Sequence, residues 1–269
     1  MNDPRPIGVF DSGIGGLTVV KALTKQLPNE NIVYFGDTAR VPYGSKSPQA
    51  VRDYAAQDTD VLLQHGVKMI VIACNTVSAV ALEVVQKRAR VPVAGVIMPG
   101  AVAAVRATKN RRVGVIGTVS TITSNAYANA IRQIDPSVQV FSRACPLFVP
   151  LVEEGWTEHP ATELIAREYL FPLTQDKIDT LILGCTHYPL LKNIIGKVFH
   201  DTVTLVDSGE ATASAVEQVL REHQLVNEST MKPNIQYWVS DAPEKFAKVG
   251  EQFFGQTLGR VQRVAGLSA

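Results

Sequence analysis

The chain has 269 residues, of which 46% are hydrophobic, so it is long enough and apolar enough to bury two cores of modest size. Its 26 Lys and Arg residues almost balance 25 Asp and Glu residues, and a net charge of +1 without a basic block argues against binding to nucleic acid or to a membrane surface. No apolar run approaches the roughly 18 residues of a membrane span, the start is too polar for a signal peptide, and three cysteines do not suit a disulfide framework, so we expect a cytoplasmic protein.

Strands and helices are predicted to alternate along the first half of the chain. Short apolar runs predict buried parallel strands, and the stretches between them predict helices. The expected strands are 7–10, 32–35, 68–73 and 91–96, and the expected helices are 17–27, 48–65 and 78–88. Pro99-Gly100 is expected to break the chain before a helix over 101–107, which marks the crossover into a second half.

The second half repeats this alternation, and a C-terminal segment follows it. The expected strands are 113–116, 138–141, 180–184 and 203–206, the expected helices are 121–133, 159–174, 189–199 and 209–223, and a loop is expected over 145–150. The C-terminal strand 235–239, helix 243–254 and short strand near 261–264 are expected to pack on the first half. We therefore predict an α/β protein with two similar, doubly wound domains and mainly parallel sheets. Residues 1–97 plus 209–269 form the first predicted domain, and residues 98–208 form the second.

Two segments that each carry a cysteine can be laid over each other. Met69–Thr76 reads Met-Ile-Val-Ile-Ala-Cys-Asn-Thr, and Thr180–His187 reads Thr-Leu-Ile-Leu-Gly-Cys-Thr-His, which places the cysteines at an offset of 111. Two further pairs of strands match at an offset of 106, one starting at Ile7 and Val113 and the other at 32 and 138. This internal repeat predicts that the two halves share one topology.

The repeat brings a thiol to the same place in each half. Cys74 and Cys185 each follow a strand at its carboxyl end, where ligands bind in parallel α/β sheets. Two thiols that face each other across a cleft form the two-base arrangement that inversion of a carbon stereocentre requires. His187 lies two residues from Cys185 and can accept or stabilise its proton. Cys145 is expected to be structural. The other histidines are expected on the solvated surface: His65, His159, His200 and His223.

Two other kinds of site are disfavoured by the spacing of the residues. The glycine-rich segment Asp11–Gly16 lacks both the G-x-G-x-x-G spacing and the Walker lysine, which argues against a nucleotide. Asp11 at the end of a strand would instead attract an ammonium group. Cys185 and His187 could chelate a metal, but no C-x-x-C pair or fourth ligand accompanies them. We therefore expect neither a nucleotide nor a metal.

Four motifs closely resemble glutamate racemase, a cofactor-independent enzyme of the aspartate/glutamate racemase superfamily. They are Asp11–Leu17, Pro42-Tyr43-Gly44, Ala73–Thr76 and Gly184–Pro189. The resemblance covers nearly the whole chain and implies two similar α/β domains with the active site in the cleft between them. It also implies a homodimer that supplies D-glutamate for peptidoglycan biosynthesis, with glutamate as the small-molecule substrate.

The resemblance assigns roles to individual residues. Cys74 and Cys185 are implied to be the two bases, assisted by Asp11 beside Cys74 and by His187 beside Cys185. Glu153 resembles the acidic residue of the second domain, with Glu154 as the alternative. The implied substrate-binding residues are Asp11, Ser12, Pro42, Tyr43, Gly44, Asn75, Thr76, Thr118, Thr121, Thr186 and His187, with Tyr43 and Gly44 at the side-chain carboxylate.

Three rival functions stay open at this point. An aspartate racemase of the same superfamily would differ in the reach to the distal carboxylate. A Cys-His thiol amidohydrolase built on Cys185 and His187 would not need Cys74. A non-catalytic amino-acid-binding module would have no use for two cysteines at strand ends.

Overall fold

Two sheets of parallel strands form the framework of the computed structural model, which describes residues 2–265. Met1 and residues 266–269, which fall in the predicted first domain, lie outside the described residues. The strands of the first sheet are β1 (Ile7–Asp11), β2 (Ile32–Gly36), β3 (Met69–Ile72), β4 (Val93–Gly95), β9 (Ile235–Val239) and β10 (Val261–Arg263). The strands of the second sheet are β5 (Arg112–Gly117), β6 (Gln139–Ala144), β7 (Thr180–Gly184) and β8 (Thr204–Asp207).

Helices cover the faces of both sheets. In the first half they are α1 (Leu17–Gln26), α2 (Pro48–Gln64), α3 (Asn75–Val80), α4 (Leu82–Arg88) and α5 (Ile97–Ala107). Further along the chain they are α6 (Val119–Thr123), α7 (Ala126–Ile134), α8 (Phe148–Glu153), α9 (Pro160–Gln175), α10 (Lys192–Val198), α11 (Ser208–Glu222) and α12 (Pro243–Phe254). Short 3₁₀ turns lie at Tyr43–Ser45 and Tyr188–Leu191.

The order of the strands confirms that the two halves share one topology. The first sheet runs β10-β9-β2-β1-β3-β4, and the second runs β6-β5-β7-β8, so β2-β1-β3-β4 and β6-β5-β7-β8 correspond strand by strand. The strand register shows that one of the predicted offsets is wrong, because Ile7 pairs with Ile32 whereas Val113 pairs with Val140. The second strand match is therefore offset by 108 residues and not by 106. A slip of two residues keeps every side chain on the same face of the sheet, so the alternation of side chains cannot reveal it.

The buried strands form where the apolar runs predict them. Every residue of β1, β2, β3 and β7 is buried, as expected for parallel strands that are covered on both faces. Ser47 caps α2 by accepting a hydrogen bond from the backbone N–H of Ala50, and Pro48 occupies the first helical position. The C-terminal strands β9 and β10 extend the first sheet beyond β2.

Several predicted boundaries are wrong, and each has a local cause. Pro99 and Gly100 do not break the chain but lie inside α5, because a proline in the first turn of a helix gives up no hydrogen bond. The predicted loop over 145–150 contains the start of α8, with Pro150 likewise in the first turn. The predicted helix over 78–88 divides into α3 and α4 at Ala81, and the one over 121–133 divides into α6 and α7 at Asn125, whose φ is +55°.

One continuous apolar core joins the two halves. It contains Val9 and Met69 from the first sheet together with Leu181 and Leu183 from the second. Helix α11 lies at this junction, where it contacts α1 of the first half and α5 at the start of the second. The chain thus carries two sheets around a shared junction, while the exact domain boundaries at residues 97/98 and 208/209 stay predictions.

Candidate active site

A cavity of about 420 Å³ opens between the two halves of the chain, where the strands of both sheets end. Its wall combines residues from strand ends, from the loop after β2 and from α8. They are Ser12, Gly13, Val41, Pro42, Tyr43, Gly44, Ser45, Cys74, Asn75, Thr76, Thr118, Val119, Pro146, Val149, Pro150, Glu153, Cys185, Thr186 and His187. Both predicted strand-end cysteines therefore line one cavity.

The Cys74 side of the cavity is buried and electrically negative. The Cys74 side chain is 6% exposed, and its thiol lies 3.6 Å from Ser12 Oγ, which accepts the hydrogen bond. Asp11 is fully buried beneath this wall, where its Oδ2 accepts a hydrogen bond from the backbone N–H of Gly13. Burial and the nearby Asp11 carboxylate raise the pKa of Cys74 to about 12. Cys74 is therefore a protonated thiol at neutral pH.

The Cys185 side of the cavity contains a group, His187, that can carry a positive charge. His187 Nδ1 lies 3.8 Å from Cys185 Sγ, and His187 Nε2 lies 2.9 Å from Glu153 Oε1. Desolvation of the buried ring lowers the pKa of His187, but the hydrogen bonds to Cys185 and Glu153 outweigh it and raise the pKa to about 10. Glu153 is half-exposed. Desolvation raises the pKa of its carboxyl group, but the hydrogen bond to His187 and the charges of His187 and Lys245 together outweigh it and lower that pKa. His187 is therefore an imidazolium at neutral pH, held between a thiol and a carboxylate.

A cluster of threonine hydroxyls joins the two halves beside the thiols. Thr76 Oγ1 lies 2.9 Å from Thr118 Oγ1 and 3.3 Å from Thr121 Oγ1, and the latter two are 3.0 Å apart. Gly44 packs so closely here that an added Cβ would lie 2.7 Å from Thr118 Cβ, so only glycine allows this approach. Hydroxyl groups that cluster at the wall of a cavity suit the binding of a carboxylate.

The loop after β2 is anchored by buried charges behind the cavity. Arg40 donates hydrogen bonds to Asp37 Oδ2 at 2.5 Å and to Asp58 Oδ1 at 3.0 Å, and the side chains of all three residues are at most 4% exposed. The Tyr43 hydroxyl donates to Asp37 and lies 3.2 Å from Asp58 Oδ2. Burial and the two carboxylates raise the pKa of Tyr43, so its hydroxyl remains a donor. That hydroxyl therefore binds two carboxylates that do not line the cavity.

Comparison with known proteins identifies the family. Residues 7–216 match the model of the Asp/Glu/hydantoin racemase family. The chain belongs to that family. The glutamate racemase of Geobacter metallireducens is 52% identical over 261 residues, which cover 97% of each chain. The glutamate racemase of Chlorobaculum tepidum is 54% identical over 265 residues, which cover 98% of this chain and 97% of the relative.

A solved structure extends the comparison to three dimensions. The crystal structure of glutamate racemase from Francisella tularensis in complex with D-glutamate matches this racemase-family chain with a TM-score of 0.92 and 44% identity. The match covers 98% of both chains. Both the fold predicted from the strand pattern and the family suggested by the four motifs are therefore confirmed.

The cavity gathers most of the predicted site residues of this racemase-family member. Those that line it are Ser12, Pro42, Tyr43, Gly44, Cys74, Asn75, Thr76, Thr118, Glu153, Cys185, Thr186 and His187. Asp11 and Thr121 lie behind the wall and reach it through Gly13 and Thr118. Glu153 lines the cavity and contacts His187, so the geometry favours Glu153 over Glu154 as the acidic group. The roles of all these residues stay predictions.

The structure agrees with most predictions for the remaining cysteine and histidines and contradicts one. Cys145 is fully buried in the apolar core, in keeping with a structural role. His65 was expected in solvent, but it is half-buried with its ring centroid 4.8 Å from that of Trp238, because the returning strand β9 covers it. His159, His200 and His223 are exposed, as predicted.

No sequence motif indicated the apolar part of the cavity wall. Val41, Val119, Pro146, Val149 and Pro150 come from three separate loops or helix ends. Their side chains can face the methylene groups of a substrate. Only the packing of the two halves brings them together, so local sequence patterns could not have identified them.

Within residues 2–265, no group of three or more His, Cys, Asp or Glu side chains is arranged to hold a metal ion. Over the same residues, no helix combines the length and the apolar character that crossing a membrane requires.

The raised pKa of His187 predicts a pH-dependent contribution to stability. Because the folded-state pKa of about 10 exceeds the ordinary value of 6.5, the protonated ring stabilises the fold fully below about pH 6.5, and this stabilisation is lost as the pH rises towards 10. We expect the difference in free energy of unfolding between the wild type and His187→Gln to shrink over this interval in urea titrations. A difference that stays constant from pH 6.5 to 10, or grows, would contradict the imidazolium.

Proposed function

We propose that this chain interconverts L- and D-glutamate without a cofactor, using Cys74 and Cys185 as two opposed acid–base groups. One observation carries the proposal: two cysteines that follow equivalent strands, β3 and β7, line the same cavity in separate halves of the chain. The full-length similarity to glutamate racemases supports glutamate as the substrate.

The groups beside the two thiols suit the chemistry. Racemisation needs one group that removes the α-proton and another that returns a proton to the opposite face. His187 Nδ1 lies close enough to Cys185 Sγ to exchange a proton with it, while the raised pKa of Cys74 keeps that residue a thiol. In the proposed reaction Cys185 takes the proton of L-glutamate and Cys74 donates one to the opposite face. The reverse reaction uses the same groups in exchanged roles.

A substrate ammonium group would match the negative side of the site. Asp11 Oδ1 is buried without a hydrogen-bond partner among the described residues, and burial raises the pKa of its carboxyl group. A cation bound near Cys74 would offset that unfavourable burial and would lower the pKa of both Asp11 and Cys74. Substrate binding would therefore make Cys74 a better base when D-glutamate is the substrate.

The carbanion that forms at the α-carbon needs stabilisation by the protein. The hydroxyls of Thr76 and Thr118 are held by each other before any substrate arrives, so they require little reorganisation. Hydrogen bonds from such groups to the α-carboxylate would stabilise the negative charge that develops there. The cavity lies between two halves of the chain, and their closer approach would exclude water from the reaction.

Purified protein tests the proposal directly. After treatment with chelator and removal of pyridoxal phosphate, it should convert L-glutamate into an equal mixture of enantiomers, measured by chiral chromatography. L-aspartate, one methylene shorter, should be a poorer substrate by about 10-fold or more. Equal turnover of the two amino acids would favour an aspartate racemase, and a rate that depends on added metal or cofactor would exclude the proposed mechanism.

The cellular context follows from the same proposal. We propose that the enzyme acts in the cytoplasm as a homodimer and supplies D-glutamate for peptidoglycan biosynthesis. Its gene should restore growth, without added D-glutamate, to a bacterial strain that needs this amino acid. Sedimentation equilibrium should give twice the mass of the chain, and a monomer would exclude the dimer.

A further inference from the structure

A buried hydrogen-bond chain behind the cavity connects the two cysteine-bearing strand ends. The Tyr127 hydroxyl donates to Asn75 Oδ1 at 2.6 Å, and Asn75 is the residue that follows Cys74. Asn75 Nδ2 donates to Ser208 Oγ at 3.5 Å, and Ser208 donates in turn to the backbone carbonyl of Leu183 at 3.3 Å. Leu183 lies two residues before Cys185. These hydrogen bonds therefore connect one cysteine-bearing segment to the other.

Tyr127 touches both of these segments itself. Its hydroxyl binds Asn75 in the first half, and its ring packs against Gly184, where an added Cβ would lie 3.1 Å from Tyr127 Cε2. Tyr127 belongs to α7 of the second half and is 2% exposed. Its absence from the cavity wall means that it does not face a substrate. It instead contacts Asn75 and Gly184, the residues next to Cys74 and Cys185.

Two-base chemistry makes this placement important. Each thiol must reach the α-carbon from its own face, and a misplacement of about 1 Å can cost 100-fold in rate. The two cysteines follow strands of different sheets, so the distance between their thiols depends on contacts that cross the junction between the halves. A short hydrogen bond between buried, neutral groups is a fixed contact of this kind.

We propose that Tyr127 is a positioning residue for the reaction, because its hydroxyl and ring hold the Cys74 and Cys185 segments at the separation that a shared substrate requires. This inference rests on the proposed two-thiol racemisation. It differs from a general role in stability because it predicts a selective effect on steps that need both thiols at once.

Tyr127→Phe isolates the hydroxyl, since the ring that packs against Gly184 remains. We expect kcat for racemisation to fall about 10-fold in both directions, the effect of one lost hydrogen bond, while KM changes less than about twofold. Elimination from a glutamate analogue with chloride on the β-carbon needs only one thiol. One thiolate takes the α-proton, the C–H electrons form a C=C bond, and chloride leaves. We expect Tyr127→Phe to slow this elimination less than about threefold.

Two further variants make the test decisive. Tyr237→Phe removes the hydroxyl of another buried tyrosine, in β9 away from the cavity, and should leave both activities unchanged. Ser208→Ala breaks the same chain at a second point and should repeat the selective loss if Tyr127→Phe fails to fold. A kcat for Tyr127→Phe within twofold of the wild type would overturn the inference, as would an equal loss of racemisation and elimination. A wild type that does not racemise glutamate would instead refute the proposed function.

Discussion

Replacing either Cys74 or Cys185 with serine is expected to lower kcat for glutamate racemisation by about 1,000-fold or more. Each thiol serves as the acid–base group on one face of the substrate, and such groups contribute roughly 10²- to 10⁴-fold. A serine hydroxyl is far too weak an acid or base to replace a thiol at neutral pH. The rate in each direction should be followed by circular dichroism, starting from each enantiomer in turn.

Cys145→Ser is the matched control for this experiment. Cys145 is as buried as the other two cysteines, but it packs in the apolar core, and its thiol donates to the carbonyl of Arg143 at 3.7 Å. Its replacement should change kcat by less than about threefold. Near-wild-type racemisation by Cys74→Ser would contradict the two-thiol account. The thiol amidohydrolase alternative predicts that replacing Cys74 leaves the activity of the enzyme unchanged.

Replacing Arg40 with methionine is expected to lower the free energy of unfolding by about 3–5 kcal/mol. The substitution keeps much of the aliphatic side chain but removes the buried positive charge between Asp37 and Asp58. Loss of one partner leaves uncompensated carboxylates in the interior, which is costly. Desolvation and the neighbouring Asp37 already raise the pKa of Asp58 well above its ordinary value, so a negative charge at Asp58 is costly even with Arg40 present.

Arg88→Met provides the comparison on the surface. Arg88 also makes two hydrogen bonds of 2.5 Å to one carboxylate, that of Asp60, but both side chains are more than 40% exposed. Such exposed pairs contribute at most about 1 kcal/mol. In urea titrations, the free energies of unfolding of the two variants should therefore differ by at least about 2 kcal/mol. Equal destabilisation would mean that the charge network behind Tyr43 is not what holds the loop in place.

The sequence predicted the thiol pair because the signal is local. Cys74 and Cys185 each follow an apolar strand, and parallel topology fixes where such strand ends lie. The contact between His187 and Glu153 spans 34 positions and depends on α8, part of which was predicted to be a loop. Only the family resemblance pointed to Glu153, since no local pattern indicates where α8 packs.

The buried charge network had a signal that could have been recognised. Val51, Ala55, Asp58 and Leu62 occupy one face of α2 at the spacing of a helix, so Asp58 interrupts an apolar stripe. A carboxylate in such a stripe requires a buried partner. Tyr127 offered no comparable signal, because its bond to Asn75 crosses 52 positions and exists only once the two halves have packed together.

The most direct test of the account asks which thiol serves which face of the substrate. The β-chloro analogue of glutamate loses chloride after removal of the α-proton by one base, so each enantiomer reports on one thiol. Cys74→Ser should retain elimination from the L-configured analogue and lose it from the D-configured one, and Cys185→Ser should show the reverse. If both variants lose elimination from both enantiomers, or if both retain it, the assignment of two opposed thiol bases is contradicted.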